Sequence, residues 1–290
     1  MSKIAIVTDT NSGMTSTEAE QLGIFLIPMP FIIQEETFFE GVTLSKDDFY
    51  HRMSQDENIS TSQPSPESIM ECWDKALKSH EEVVHIPMSS GLSGSYQTAA
   101  MLAQDYHGKV HVVDNKRISD TLKESVMDAV FLTKEDLSGI EIRNKLEADA
   151  SNSTIYLTVD TLHYLKKGGR LTPLAAALGT ILKIKPVLTI QGSALDAFAK
   201  ARTTSQAKSM MVNAVASDLE KRLGGMSRTN PMKICVVHSN NEVAAKEYQQ
   251  VVAEAFPCYE VTVAELALSI AAHTGPNVLA IACTQKNLSK

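Results

Sequence analysis

The sequence predicts an α/β architecture in two units, and three observations carry that prediction. Strand-like runs alternate with helical segments through the first half, as a mainly parallel sheet covered by helices requires. After about residue 153 the order changes to a strand, a compact helix and a hairpin. The chain has 290 residues, enough for two cores of ordinary size. The domains expected are 1–152 and 153–290.

Taken in order, "KIAIVTD" (3–9) reads as a strand, followed by a Thr15–Glu18 capping-box pattern and a short helix. "IFLIPMPFII" (24–33) is apolar and bounded by prolines. "SPESIMECWDKALKSH" predicts a helix with Ser65 as N-cap and Pro66 at its first position. "EVVHIPM" and "KVHVVD" (109–114) are further strands, with the helix "YQTAAMLAQDY" between them. In the second half, "TIYLTVD" is a strand, "TPLAAALGTIL" a helix, and "IKPVLTIQGSALDAFAKAR" a hairpin turning at Gln191-Gly192. An amphipathic helix over about 204–223 and a break at "GGMSRTNP" follow. The strand "KICVVHS", the helix "EVAAKEYQQVVAEAF" and the strands "YEVTVAEL" and "NVLAIACT" complete a second α+β unit with its own sheet.

Composition narrows the function. With 43% hydrophobic and 21% charged residues the chain reads as a soluble globular protein. A formal charge of −7 argues against an electrostatically driven nucleic-acid binder. The N-terminus runs straight into a strand without a signal-peptide pattern, and no apolar run approaches membrane-spanning length. Four scattered cysteines without a CxxC pair fit reduced thiols in a cytoplasm better than a disulfide frame or a zinc site. None of the eight histidines has metal-ligand spacing; His107 and His111 are four apart, but Gly108 and the strand that follows keep them off a common helix face.

Chemistry concentrates in loops at predicted strand ends, where open α/β sheets bind ligands. "SSGLSGS" (89–95) runs from a strand into a helix start, where amide N–H groups and the helix dipole favour an anion. A Walker-type loop needs Lys and Ser/Thr after its last glycine, and here Gly94 is followed by "SYQ". A nucleophile elbow reads G-x-S-x-G, and "GLSGS" misses it at Ser95. A capped turn packing helix onto sheet is the plain alternative. "TSQPSPES" (61–68) is a second hydroxyl cluster, equally open to capping and turn chemistry. Together the two loops would make a pocket that hydrogen-bonds a carboxylate without a full countercharge.

Asp9, at the end of the first strand, lacks a second aspartate for phosphatase chemistry and reads as a brace for neighbouring loops. In "HTGP" (273–276), His273 is either a turn residue or a donor to a ligand oxygen. "YLKKGGRLT" (164–172) is a basic turn, solvated or docking an acidic group through Lys166, Lys167 and Arg170. "PLAAALGTIL" is apolar and uncharged, a core helix or a lipid-lining one.

"IVTDT", "TSQPSP", "PMSSGLSGSYQTA", "LHYLKKGGRLTPLAAALGTILKIKPVL", "KAR" and "AAHTGP" occur in that order along essentially the whole chain. The ordered set resembles the DegV family, bacterial fatty-acid-binding proteins that serve as acyl carriers for fatty acid kinase. The resemblance implies a parallel α/β/α domain and a second α/β domain with a mixed sheet. It also implies one long-chain fatty acid in an apolar tunnel, its carboxylate held between the domains. Carried onto matching positions, the head-group residues are Thr61 with the adjacent Ser62, Ser93 with Gly94, and His273. Arg170 and Arg202 fall where a basic rim would face the kinase or the acyl phosphate. No metal or other cofactor and no catalytic site of its own is implied; the partner is the kinase catalytic subunit. Two departures stand out: "VVDNKRISDTLKESVMDAV" (112–130) has charged residues where the family has a small, glycine-containing stretch, and Asn277 stands where glycine is commoner. The first is expected to bear on the tunnel or on acyl-chain preference.

The energetics suit a carrier. Burying a methylene contributes about 0.8 kcal/mol, so a dozen gain on the order of 10 kcal/mol before ordering costs. Phosphoryl transfer needs a nucleotide and metal site, and no motif here supplies one. The competing class is a serine hydrolase using Ser93, His273 and an acid such as Asp9; a pure interaction domain would need no ligand.

Overall fold

The computed structural model describes residues 3–172, 184–192 and 194–286. The helix expected over "TPLAAALGTIL" lies outside them apart from Thr172. The chain divides into two compact units, Met1–Ala150 with Ala267–Ser269, and Ser151–Leu266 with Ile270–Lys290.

The first unit is built on a parallel sheet. Its strands are β1 (Ile4–Asp9), β2 (Phe25–Ile27), β6 (Glu82–Ile86) and β7 (Val110–Val112), in the order β2-β1-β6-β7. All six residues of β1 are buried, as expected of a strand covered on both faces. On one face, Ala5, Val7, Val83 and Val112 pack with Ile69, Trp73 and Ala76 of α3 (Pro66–Leu77) and Ala99 of α4 (Ser95–Leu102). Helices α5 (Ser119–Leu132) and α6 (Gly139–Ala148) also pack on this sheet. The predicted caps form: Thr15 and Glu18 make a reciprocal capping box at α1 (Ser16–Leu22), and Ser65 caps α3 with Pro66 at its first position. The helix predicted over "YQTAAMLAQDY" ends as α at Leu102 and continues as a 3-10 turn through Tyr106.

The apolar run 24–33 is two strands, not one. Beyond β2, the chain enters a separate antiparallel sheet of β3 (Pro30–Ile33), β4 (Glu36–Phe39) and β5 (Ile59–Thr61). Gln34 and Glu35, with φ of 50° and 71°, form the two-residue turn between β3 and β4. Helix α2 (Lys46–Ser54) precedes β5. Segment 112–130 keeps left-handed backbone without glycine: Lys116 and Ser119 have φ of 57° and 56°. Its charges turn inward, with Arg117, Asp120, Glu124 and Asp128 all buried. Arg117 Nη2 donates to the Asp149 carbonyl at 2.6 Å, and burial lowers the Arg117 pKa against the opposing pull of Asp128, Asp149 and Glu124.

The second unit has a six-stranded mixed sheet. Its strands are β8 (Ser153–Thr158), β9 (Lys185–Ile190), β10 (Leu195–Ala201), β11 (Met232–His238), β12 (Val261–Glu265) and β13 (Leu279–Gln285), in the order β10-β9-β8-β13-β11-β12. Only the β11–β12 pair is parallel. The hairpin between β9 and β10 turns as expected at Gln191-Gly192, where Gly192 has φ of 89°. Helices α8 (Thr204–Lys221) and α9 (Glu242–Ala255) cover one face through Ala207, Met211, Val215, Ala245, Tyr248 and Val252, against Tyr156, Ile234 and Ile281. Two short helices complete the described chain, α7 (His163–Lys167) and α10 (Leu268–Thr274). No helix of the described residues is long and apolar enough to cross a membrane.

Candidate functional site

Both hydroxyl-rich loops belong to the first unit, and one side chain ties them together. Thr61 ends β5, paired in register with Phe31, and the Ser62 amide donates to the Pro30 carbonyl at 3.2 Å. Two residues past Thr61, Gln63 Nε2 donates to Thr98 Oγ1 on α4 at 2.8 Å. Its other amide atom, Oε1, occupies the space beside Gly94: a Cβ there would lie 2.6 Å from it. Gly94 has φ of −72°, so close approach and not backbone conformation calls for glycine. Gln63 was not singled out in the sequence. The quoted "TSQPSP" contained it, but nothing local signals a partner 35 residues away.

The loop 87–95 is braced from several directions. Asp9 Oδ2 accepts from the Met88 amide at 3.1 Å, and Oδ1 accepts from the amide and side chain of Asn11 at 3.0 and 2.8 Å. Asp9 is therefore the brace its position suggested, and its burial raises the carboxyl pKa to about 6 despite these hydrogen bonds. Ser90 binds Asp114 through both amide and hydroxyl, and the Ser89 amide donates to the Arg117 carbonyl at 2.8 Å. Ser93 Oγ accepts from the Ser95 amide at 3.2 Å and shares a hydrogen bond with Ser95 Oγ at 2.8 Å. Its backbone is not left-handed, unlike the strained nucleophile turn of G-x-S-x-G enzymes. Ser93 thus sits half-buried at the start of α4, where the first N–H groups of a helix have no intrahelical acceptor.

His273, Arg170 and Arg202 belong to the second unit. His273 lies in the last turn of α10, and the "KKGGR" turn after α7 packs directly on its ring: a Cβ at Gly168 would collide with Nδ1. A Cβ at Gly275 would in turn collide with the Tyr164 ring of α7. Glycines on both partners thus let the two segments interlock. Burial, and secondarily the nearby Arg170 charge, lower the His273 pKa to about 4, so its imidazole is neutral at pH 7. Arg170 is exposed and donates to the Gly168 carbonyl at 2.6 Å. Arg202 is exposed between β10 and α8, its amide held by Gln206 Oε1 at 2.8 Å.

Ser239 is a second residue that sequence reading missed. It is fully buried and braces the "HTGPN" turn by donating to the Gly275 carbonyl at 2.7 Å and accepting from the Val278 amide at 3.1 Å. Asn277 follows in left-handed conformation with φ of 63°, which explains why glycine suits that position. A groove of about 970 Å³ also opens in the first unit, lined by Ile6, Leu22, Phe25, Cys72, Lys75 and His80 among others, and by none of Thr61, Ser62, Ser93 or Gly94.

A family model described as "Uncharacterised protein, DegV family" matches residues 3–286. A DegV domain-containing protein of Staphylococcus aureus (strain N315) is 29% identical over 287 residues, covering 99% of this chain and 100% of that protein. Among solved structures, the fold is similar to that of a fatty-acid-binding DegV family protein from Thermus thermophilus. That pair has a TM-score of 0.87 and 28% identity, over 97% of this chain and 99% of the other. It is also similar to DegV of Bacillus subtilis, described as a fatty acid binding protein, with a TM-score of 0.85 and 28% identity over 98% and 99% of the two chains.

Proposed function

The chain belongs to the DegV family, and from that premise we propose that it binds a long-chain fatty acid and presents the carboxylate to a partner fatty acid kinase. The observation that carries this reading is the likeness, along nearly the whole chain, to the two bacterial proteins named for fatty acid binding. In this reading the acyl chain supplies most of the affinity by leaving water. The carboxylate accepts hydrogen bonds from Thr61, Ser62, Ser93 and the Gly94 amide, and from His273. A neutral His273 suits this role, because it donates without drawing a proton from the acid. Hydroxyl and amide donors fix a head group in one orientation without the countercharge that would neutralise its nucleophilic oxygens. Arg170 and Arg202 form the exposed cationic surface for the kinase or the acyl phosphate. The protein then acts as a cytoplasmic carrier, and phosphoryl transfer is the partner's chemistry.

Native mass spectrometry of protein purified from cells, combined with lipid extraction, tests this. One fatty acid per chain is the expected result. A protein that arrives empty and takes up no added fatty acid overturns the proposal.

A further inference from the structure

The loop that carries Ser93 is fastened at its base. β6 and β7 lie side by side in parallel, and their carboxyl ends lead into residues 87–95 and 113–118. Ser90, at the base, has all three of its polar groups engaged. Its hydroxyl and amide donate to different oxygens of Asp114, at 2.8 and 3.4 Å, and its carbonyl accepts from Gln97 Nε2 of α4 at 3.4 Å. The Leu92 and Ser93 amides close the turn onto the Ser89 carbonyl, at 3.0 and 3.2 Å. Ser93 thus takes its place from Ser89 and Ser90.

Asp114 is itself held from behind. Its amide donates to Glu147 Oε1 of α6 at 3.1 Å, and Arg143, one turn earlier on that helix, donates to the same oxygen at 3.1 Å. Lys116 Nζ lies 3.5 Å from Asp114 Oδ2. The neighbouring residues extend the fastening. Asn115, fully buried, accepts from the Arg117 amide at 3.2 Å and donates to Ser125 Oγ of α5 at 2.6 Å. The Arg117 carbonyl in turn takes the Ser89 amide at 2.8 Å. Residues 114–117 therefore form a strap that backs the serine loop and is anchored on α5 and α6.

We propose that Asp114 is a positioning residue for the carboxylate of a bound fatty acid: it fixes Ser90, and through the turn at Ser89 the hydroxyl of Ser93, without touching the ligand. The role rests on Ser93 holding the head group, as proposed above. Its sign separates it from plain electrostatics. An ionised Asp114 carries the same charge as the ligand, so a purely through-space effect predicts tighter binding of the acid once that charge is removed. Positioning predicts weaker binding. A merely structural role predicts equal losses for any ligand with the same chain.

The test is an equilibrium partition assay on the delipidated full chain with radiolabelled palmitate and, separately, hexadecanol, which has the same chain length and no carboxylate. Asp114→Ala should weaken palmitate binding about tenfold and leave hexadecanol binding within about twofold. Asp114→Asn keeps one acceptor oxygen for Ser90 and should weaken palmitate only about threefold. In a Ser93→Ala background, Asp114→Ala should cost less than about twofold more, since both act through one hydroxyl. Equal losses for the two ligands, tighter palmitate binding, unaltered palmitate binding or fully additive losses would each overturn the positioning role while the unaltered protein still binds palmitate. An unaltered protein that binds neither ligand would overturn the carrier reading, and this role with it. Should Asp114→Ala fail to fold, Ser90→Ala decides: a loss of about threefold for palmitate alone supports the role, and an equal loss for both ligands or none at all overturns it.

Discussion

Gly168 and His273 are in contact because one of them has no side chain. The imidazole Nδ1 fills the space in which a Cβ of residue 168 would stand. Gly168→Ala must therefore push the ring aside. Fatty acid affinity should fall about tenfold, as for the loss of one good hydrogen bond. The imidazole resonances of His273 should shift in the same variant. Unmoved resonances would show that the ring does not depend on this glycine.

Ser93→Ala should weaken carboxylate retention by a similar factor and lower stability by about 1 kcal/mol, because Ser93 Oγ also accepts the first amide of α4. Fatty acid exchange monitored by fluorescence, together with urea unfolding, separates the two effects. Unaltered affinity would remove Ser93 from the head-group set.

Gln63 and Gly94 should be energetically coupled. Gly94→Ala displaces Gln63 and breaks its bond to Thr98, a loss of about 0.5–1.5 kcal/mol. Gln63 supplies the nearest atoms that a Cβ at 94 would meet, so in a Gln63→Ala background the same substitution should cost almost nothing. A double-mutant cycle by urea denaturation measures this coupling, and additive effects would contradict it.

Acid should destabilise the protein partly through His85, which is 2% exposed and packs edge-on against Trp73 at 5.6 Å. Burial lowers its pKa to about 3, against about 6.5 when unfolded. Between those values the unfolded state carries a proton that the folded state refuses. The stabilising contribution is complete above pH 6.5 and disappears as the pH falls toward 3. Asp9 works in the opposite sense: its carboxyl is raised from 3.8 to about 6, so its contribution is complete below 3.8 and fades as pH rises through 6. His85→Leu should flatten the acid limb of stability against pH, by as much as about 1.4 kcal/mol per pH unit where it is steepest. An unaltered slope would show that His85 is protonated in the folded protein.

Asn277→Gly should preserve or raise stability, and Asn277→Ala should lower it by about 1 kcal/mol, since the backbone there is left-handed. Thermal melts of the two variants give the comparison directly.

Local signals in the sequence were sufficient for much of the fold. The caps at Thr15 and Ser65, the buried strand 4–9 and the turn at Gln191-Gly192 each depend on residues within a few positions of one another. The small antiparallel sheet was not legible. Its tight turn uses Gln34 and Glu35 where Asn-Gly or Asp-Gly would have announced it, and Pro28-Met29 divides what composition shows as one apolar run. The same limit applies to the candidate site. Its hydroxyl loops are visible as clusters, whereas Gln63 and Ser239 act through partners 35 and 36 residues away. The inward-facing acids of α5 defeat pattern reading for a related reason, since the buried guanidinium whose charge they oppose, Arg117, is itself held by the Asp149 carbonyl 32 positions away.

Ala267–Ser269 cluster with the first unit although the chain on either side belongs to the second. The half-buried Glu40 carboxylate accepts from both Thr10 Oγ1 and the Leu268 amide, and Asn11 Oδ1 accepts from Ser269 Oγ at 2.6 Å. These bonds span 228 and 258 positions of sequence. During synthesis, the first unit therefore waits for residues 268 and 269 to leave the ribosome before its hydrogen bonding is complete. A recombinant fragment ending at residue 150 would leave a half-buried carboxylate and a buried amide without those partners, and so would not be a faithful excised domain.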